Sequence, residues 1–125
     1  MTGLNLFDEG MKLLGYVNDS GVSGREEMLK KALPLINRVY SDLYYSFEAV
    51  PGEADGFKPL TAISQEIQLS SAVLNDVAPY GMAMYLAQSE SDADNQALYA
   101  SLYNQKKTRG KRITTIKNSL PHIWG

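Results

Sequence analysis

The stretch LSSAVLNDVAPYGMAMYLAQSESDADNQALYASLYNQKKTR, residues 69–109, decides the fold of this 125-residue chain. It contains two segments with helical periodicity, and a polar break of sequence SESD at residues 89–92 separates them. Apolar residues recur three or four positions apart in both segments, as Val73 and Val77 do in the first. The stretch therefore predicts an antiparallel helical hairpin, although it carries no catalytic signature.

The first helix of this hairpin is apolar around most of its circumference between residues 73 and 87. A helix that buries only one face is amphipathic, so this one is expected at the centre of the domain or at a contact between subunits. Pro79 lacks a backbone donor and predicts a kink or a fresh helix start. Gly81 would allow another helix to approach closely.

The second helix of the hairpin carries signals at both ends. Asp92 is a suitable N-cap, because its short side chain can accept hydrogen bonds from free backbone N–H groups. Three basic residues, Lys106, Lys107 and Arg109, are expected in the last turn, where they meet the negative end of the helix dipole. Gly110 is expected to end the helix.

Two helix starts are predicted upstream of the hairpin. Asn5 is a candidate N-cap for a helix over residues 6–16, and a turn-rich segment follows that helix. Ser23 and Glu26 match the capping box, in which each side chain bonds to the other residue's backbone N–H. This pair predicts the start of the second helix.

The helix after that start carries the clearest apolar stripe of the chain. Its members step by 4, 3, 4, 3 and 4 positions and are Leu29, Leu33, Ile36, Tyr40, Leu43 and Phe47. Pro34 interrupts the stripe, but the phase is the same on both sides, so one kinked helix is predicted. Residues 49–58 then favour a loop, and residues 60–69 favour a short extended piece with a turn.

These patterns together predict an all-α chain with four helices, a small four-helix bundle-like domain with a long loop and an extended C-terminal arm. Residues 1–24 would form the N-terminal helix and turn, residues 25–109 the helical core, and residues 110–125 the arm. The arm is predicted to be extended because isoleucine and threonine favour strands weakly, and Pro121 breaks a helix. The three parts would form a single domain.

The composition excludes several classes of site. The chain has no cysteine, so it forms neither disulfides nor thiolate metal sites, and its single histidine, His122, limits acid–base chemistry. It contains no run of about eighteen apolar residues, so no membrane span is predicted. The glycines match no nucleotide-binding loop. We therefore expect a protein that is not an enzyme and has no cofactor and no metal site.

Charge is distributed unevenly along the chain, whose net charge is −2. Up to Asp94 there are six basic and fourteen acidic residues, a net charge of −8, whereas the remainder has six basic residues and no acid. The candidates for contact with phosphate or with an acidic partner are Lys106, Lys107, Arg109, Lys111, Arg112 and Lys117. The alternative is a solvated helix end that complements the helix dipole.

Aromatic and methionine side chains offer a second candidate surface. Four of the eight tyrosines lie on apolar helical stripes: Tyr40, Tyr44, Tyr99 and Tyr103. Core packing with the hydroxyl at the boundary is the simpler interpretation of such residues. Tyrosine and methionine are also enriched in the cores of protein interfaces. The candidate subunit-interface residues are Tyr80, Met82, Met84, Tyr85 and Trp124.

The order of these features resembles a known family. A helix with the sequence ALPLINRVYSDLYY is followed by a polar loop and then by VAPYGMAMYLAQSESDADNQALYASLYNQKK. Over residues 29–107 this order is similar to the head–tail connector, or adaptor, proteins of tailed phages and prophages. The resemblance implies a helical bundle that assembles as a ring under the portal and extends the DNA channel. It also implies a location in the virion, or in the host cytoplasm during assembly.

The same resemblance implies the partners of the protein. They would be further copies of the chain, portal and tail-completion proteins, and passing DNA through non-specific contacts, without a membrane. We expect the copies to meet in a heterologous, head-to-tail contact, because an acidic body and a basic end attract each other but repel their own kind. A rival hypothesis is a small helical DNA-binding or regulatory protein that uses the basic C-terminal region.

Overall fold

The structure, a computed structural model, describes residues 1–16, 22–48 and 56–119, with the backbone alone for residues 22–23 and 112–119. The described residues form six α-helices, which are α1 (Gly3–Leu14), α2 (Val22–Lys30), α3 (Ala32–Leu43), α4 (Ser71–Asp76), α5 (Ala78–Ser89) and α6 (Ala93–Ser119). A π-helical turn, Tyr44–Glu48, continues α3. The prediction of a small all-α domain is confirmed, with six described helices where four were predicted.

Two prolines divide the predicted helices. The prediction of one kinked helix across Pro34 is wrong, because α2 ends at Lys30 and α3 begins at Ala32. Pro34 lies in the first turn of α3, and in a continuous helix its ring would clash with the carbonyl group of Lys30. Pro79 likewise lies in the first turn of α5, which begins one residue before it. The fresh start that Pro79 predicts is therefore confirmed.

The first two helices begin earlier than predicted. Thr2, rather than Asn5, is the N-cap of α1, and its hydroxyl accepts from Asn5 N at 3.1 Å. Asn5 Oδ1 accepts from Thr2 N at 2.9 Å, so the two residues form a capping box with Asn5 inside the helix. α2 begins at Val22, which places Ser23 inside the first turn instead of at the N-cap.

The core is built around α5, which packs against α1, α3, α4 and α6. Met82, Ala83 and Leu86 of α5 have no exposed surface, and all six described helices contribute buried residues. Gly81 allows α5 to meet α6 closely, because a Cβ atom there would lie 2.7 Å from Cε1 of Tyr103. The apolar circumference of this segment is thus accounted for at the centre of one chain.

Residues 60–69 lie against the beginning of the chain. Thr2 and Glu66 form an isolated antiparallel bridge. Asn37 of α3 holds the start of the segment, because its side chain accepts from Leu60 N at 2.8 Å and donates to Leu60 O at 2.9 Å. A turn lies within the segment, as predicted, whereas the predicted extended piece is limited to this bridge, and the structure has no strand in its described part.

The prediction that Gly110 ends the last helix and begins an extended arm is wrong over residues 110–119, which continue α6 to Ser119. Gly110 lies where α6 passes the π-helical turn, and a Cβ atom there would lie 3.1 Å from Cε1 of Phe47. A glycine at this position permits a close approach between two elements. Residues 120–125, which include His122 and Trp124, lie outside the described residues, as do residues 49–55 of the predicted loop.

Candidate functional site

The basic side chains of α6 do not form one surface. The four that the structure describes are Lys106, Lys107, Arg109 and Lys111, whereas the side chains of Arg112 and Lys117 are outside it. Arg109 and Lys111 are exposed, and the two lysines before them are partly buried. Successive residues of a helix lie about 100° apart around its axis. Lys106 and Arg109 therefore share one face, and Lys107 lies on another.

Lys107 is bound within its own chain. Its Nζ lies 2.9 Å from Oδ2 of Asp42 in α3, and the hydroxyl of Tyr103 donates to the same oxygen. Burial raises the pKa of Tyr103 well above its ordinary value, and the neighbouring Asp42 carboxylate raises it further. The hydroxyl consequently remains a donor, and the three side chains join α6 to α3. Lys107 is therefore not a free cation for a phosphate or an acidic partner.

Lys106 is positioned by an aromatic ring. Its Nζ lies 5.0 Å from the ring centroid of Tyr80 in α5, a cation–π arrangement. The Tyr80 ring lies 6.4 Å from the ring of Tyr99, whose hydroxyl donates to the carbonyl oxygen of Leu13 at 2.6 Å. Tyr99 is buried. A buried ring with a bonded hydroxyl is the core packing that the stripe pattern predicts for this tyrosine.

The candidate subunit-interface residues differ in how much of each side chain is exposed in the structure. Met82 is completely buried in its own core, so the prediction that it lies at a subunit contact is wrong. The helical spacing could not reveal this, because it does not show which neighbours cover an apolar residue. Tyr80, Met84 and Tyr85 are partly exposed. Trp124 lies outside the described residues.

A groove opens where α4, the π-helical turn and α6 meet. Its volume is about 430 Å³, and it is lined by Phe47, Ser70, Ala72, Val73, Asp76, Val77, Lys106, Arg109 and Gly110. The residues from α4 and the π-helical turn are mainly apolar, whereas α6 supplies both cations. The sequence identified Lys106 and Arg109 but could not predict the groove, because the groove depends on how α4, the π-helical turn and α6 pack together. The groove is a candidate binding site with an apolar and a cationic side.

A polar cluster holds the start of α6. The hydroxyl of Tyr16 donates to the carboxylate of Asp92, which also accepts from the Asn95 side chain at 2.7 Å and from Asn95 N at 3.3 Å. These bonds lower the pKa of Asp92, and burial together with Asp92 raises the pKa of Tyr16 to about 12. The predicted N-cap at Asp92 is confirmed, and the cluster connects it to the end of α1.

Two further searches of the structure concern metal ions and membranes. Within residues 1–16, 22–48 and 56–119, no group of three or more histidine, cysteine, aspartate or glutamate side chains could hold a metal ion. None of the described helices combines the length and apolar character needed to cross a membrane. The absence of a metal site, a cofactor and an enzyme activity stays a prediction.

The chain was also compared with known proteins. No family model, curated protein or solved structure matches it. The resemblance to head–tail connector proteins therefore rests on the sequence features of residues 29–107, and the candidate site rests on its geometry.

Proposed function

We propose that this chain is a structural adaptor of the head–tail connector kind, in which copies assemble head to tail as a ring under the portal of a phage or prophage particle. In this role it extends the DNA channel and contacts portal and tail-completion proteins. The resemblance over residues 29–107 supports the proposal. The all-α fold is compatible with the helical bundle that the resemblance implies.

Exposed charges that lack an ion pair in the described part of the chain are the observation that carries the proposal. Arg109 and Lys111 of α6 are exposed, and neither forms an ion pair among the described residues. Glu26 of α2 and Asp94 of α6 are exposed acids that likewise have no ion pair in the described part. A head-to-tail contact places one surface of a subunit against a different surface of the next, so it can pair such groups.

Complementation between charge-reversed variants tests this contact. One variant replaces Glu26 and Asp94 with lysine, and the other replaces Lys111 with glutamate. Each variant alone presents like charges on both surfaces, so we expect weaker self-association, whereas an equimolar mixture again presents opposite charges and associates. Light scattering over a range of concentrations, with and without the cognate portal, measures the result. Lys58→Glu, an exposed change outside α6, is the control.

Two results would contradict the adaptor. The first is a wild-type chain that stays monomeric at every concentration and does not bind the portal in electron microscopy. The second is self-association that neither charge-reversed variant alters. Saturable binding to duplex DNA with an affinity near micromolar at about 150 mM salt would instead favour the DNA-binding alternative. The ion pair between Lys107 and Asp42 already removes one cation from the surface available to DNA.

A further inference from the structure

We propose that the groove between α4 and α6 binds a peptide segment of a partner protein in which an acidic side chain stands beside an apolar one. This inference rests on the proposed adaptor function and names the chemistry of one of its partners. The juxtaposition that carries it is an apolar surface from α4 and the π-helical turn beside two cations of α6.

The apolar side of the groove fits one aliphatic or aromatic side chain. Phe47 of the π-helical turn is partly buried, and Val73 of α4 and Val77, the residue that follows α4, form the almost fully buried floor of the groove. Ala72 is exposed beside them. A volume of about 430 Å³ lies within the range of ligand sites and exceeds that of a single side chain. Binding would remove the apolar side chain of a partner and these groups from contact with water, which favours the complex.

The cationic side of the groove fits a carboxylate. Lys106 is held against the ring of Tyr80 at 5.0 Å, so its position is set before a ligand arrives. Arg109 is exposed and pairs with no carboxylate among the described residues. The two residues are three positions apart on one helix face and can meet one anion together. A guanidinium group also matches a carboxylate with two parallel hydrogen bonds.

Asp76 decides between a peptide and a simple anion. Its carboxylate belongs to α4, across the groove from the cations, and it has no ion pair in the described part of the chain. A fatty carboxylate or a phosphate monoanion without a hydroxyl proton brings a negative charge but no hydrogen-bond donor for Asp76. A peptide brings backbone N–H donors as well as an acidic side chain, so it can satisfy Asp76 and the cations at once.

Nuclear magnetic resonance of the full chain provides the test. The probe is the acetylated peptide amide Asp-Leu-Asp-Phe, and the control probe has lysine in place of both aspartates. We expect saturable shifts in the methyl signals of Ala72, Val73 and Val77 with the acidic probe, at a dissociation constant of about 1 mM. The lysine probe should produce no saturable shifts there.

Matched variants identify the side chains responsible. Arg109→Glu is expected to weaken binding of the acidic probe about tenfold, whereas Lys111→Glu, with the same charge change outside the groove, is expected to weaken it less than about twofold. Ala72→Trp places a large side chain in the groove at an exposed position, so it should abolish binding of the probe while the charge of the protein stays the same. Absence of groove shifts, equal shifts with the lysine probe, or equal weakening by the two charge variants would overturn the inference.

The adaptor and the groove can fail separately. If wild-type chains self-associate or bind the portal but the acidic probe does not bind, the groove proposal alone is wrong. If the probe binds as expected but the chain neither self-associates nor binds the portal, the adaptor is wrong and the groove belongs to another kind of partner. Loss of self-association with Ala72→Trp would assign the groove to a neighbouring copy and overturn the assignment to a different protein.

Discussion

The two halves of α6 differ in how their side chains are buried, although they are one helix. Residues 93–103 pack against α5, and Tyr99 and Tyr103 are buried with their hydroxyl groups bonded to other helices. Beyond Tyr103, no further side chain of α6 is buried among those that the structure describes. The exposed cations Arg109 and Lys111 lie in this second half. At a rise of 1.5 Å per residue the whole helix is about 40 Å long.

This difference shows how packing and interaction can share one secondary-structure element. Burial in the first half fixes the direction of the helix axis, and continuous backbone hydrogen bonds carry that direction into the second half. The second half can therefore hold charges in a defined place without a core of its own. Changes at the buried tyrosines of the first half should therefore lower stability most, whereas changes at the exposed cations Arg109 and Lys111 should alter binding and leave stability almost unchanged.

The largest effect is expected from Tyr103→Ala. Tyr103 is among the largest fully buried side chains, and its truncation leaves a cavity and removes the hydrogen bond to Asp42. Loss of a large buried aromatic group costs about 3–5 kcal/mol. Chemical denaturation measures the change, with Tyr45→Ala as the matched control, because Tyr45 is 61% exposed and should lose less than about 1 kcal/mol. Equal losses at the two positions would remove the distinction between packed and exposed aromatics.

A smaller loss is expected where α5 meets α6. Gly81→Ala places a Cβ atom 2.7 Å from the buried ring of Tyr103, so one of the helices must shift. Overpacking of this kind costs about 1–3 kcal/mol, which exceeds the gain in helix propensity of about 1 kcal/mol. Gly24→Ala is the control, because Gly24 lies in α2 with no atom within 4 Å of the added carbon. It should stabilise the chain, so a stabilising Gly81→Ala would contradict close packing between α5 and α6.

The contrast between cations is tested by two lysine changes that keep the apolar stem. Lys107→Met removes the ion pair to Asp42, whose side chain is 35% exposed against 21% for the lysine. Because solvent weakens such a pair, we expect a loss of only about 1 kcal/mol in the free energy of unfolding. Lys111→Met should change stability by less than about 0.5 kcal/mol, since Lys111 is exposed. A larger loss in the free energy of unfolding from Lys111→Met than from Lys107→Met would contradict this interpretation.

The smallest effect concerns the start of α6 and depends on pH. The Tyr16 hydroxyl lowers the pKa of Asp92 below 3.8, so this carboxyl stabilises the fold above that pH, and the contribution is lost as the pH falls through the folded value. Tyr16→Phe should therefore lower the melting temperature more at pH 7 than at pH 2. Tyr45→Phe at an exposed position serves as control. A loss from Tyr16→Phe that does not depend on pH would assign its effect to packing alone.

The contact between Tyr16 and Asp92 also makes stability depend on pH in alkaline solution, where stability falls as the pH rises. The pKa of Tyr16 is raised to about 12 in the folded chain, above its ordinary value of 10.0. Its stabilising contribution is complete below pH 10 and is lost as the pH rises through 12, because the unfolded chain releases this proton first. Melting curves of the wild type and of Tyr16→Phe should therefore converge between pH 10 and pH 12.

Local sequence signals were sufficient to predict several features of the fold. The helical hairpin, the N-cap at Asp92 and the fresh start at Pro79 were all predicted correctly. Each of them depends on groups within a few residues, namely apolar spacing, a short acceptor side chain or a missing N–H group. Such groups act in the same way whatever the distant parts of the chain do. The helix break before Pro34 was not predicted, because the apolar stripe keeps its phase on both sides of Pro34 and does not reveal the clash with the carbonyl group of Lys30.

Packing between distant parts of the chain determines which side chains hold the fold together and which stay at the surface. Gly110 lies inside α6, at the point where the ring of Phe47, from a distant part of the sequence, comes close to the helix. Lys107 is bound by Asp42, 65 positions away, while Arg109 has no such partner among the described residues. The groove likewise needs α4 and α6 side by side. Spacing along a chain reports only near neighbours, whereas close approach and ion pairing depend on distances in space, and these exist only after the helices have packed.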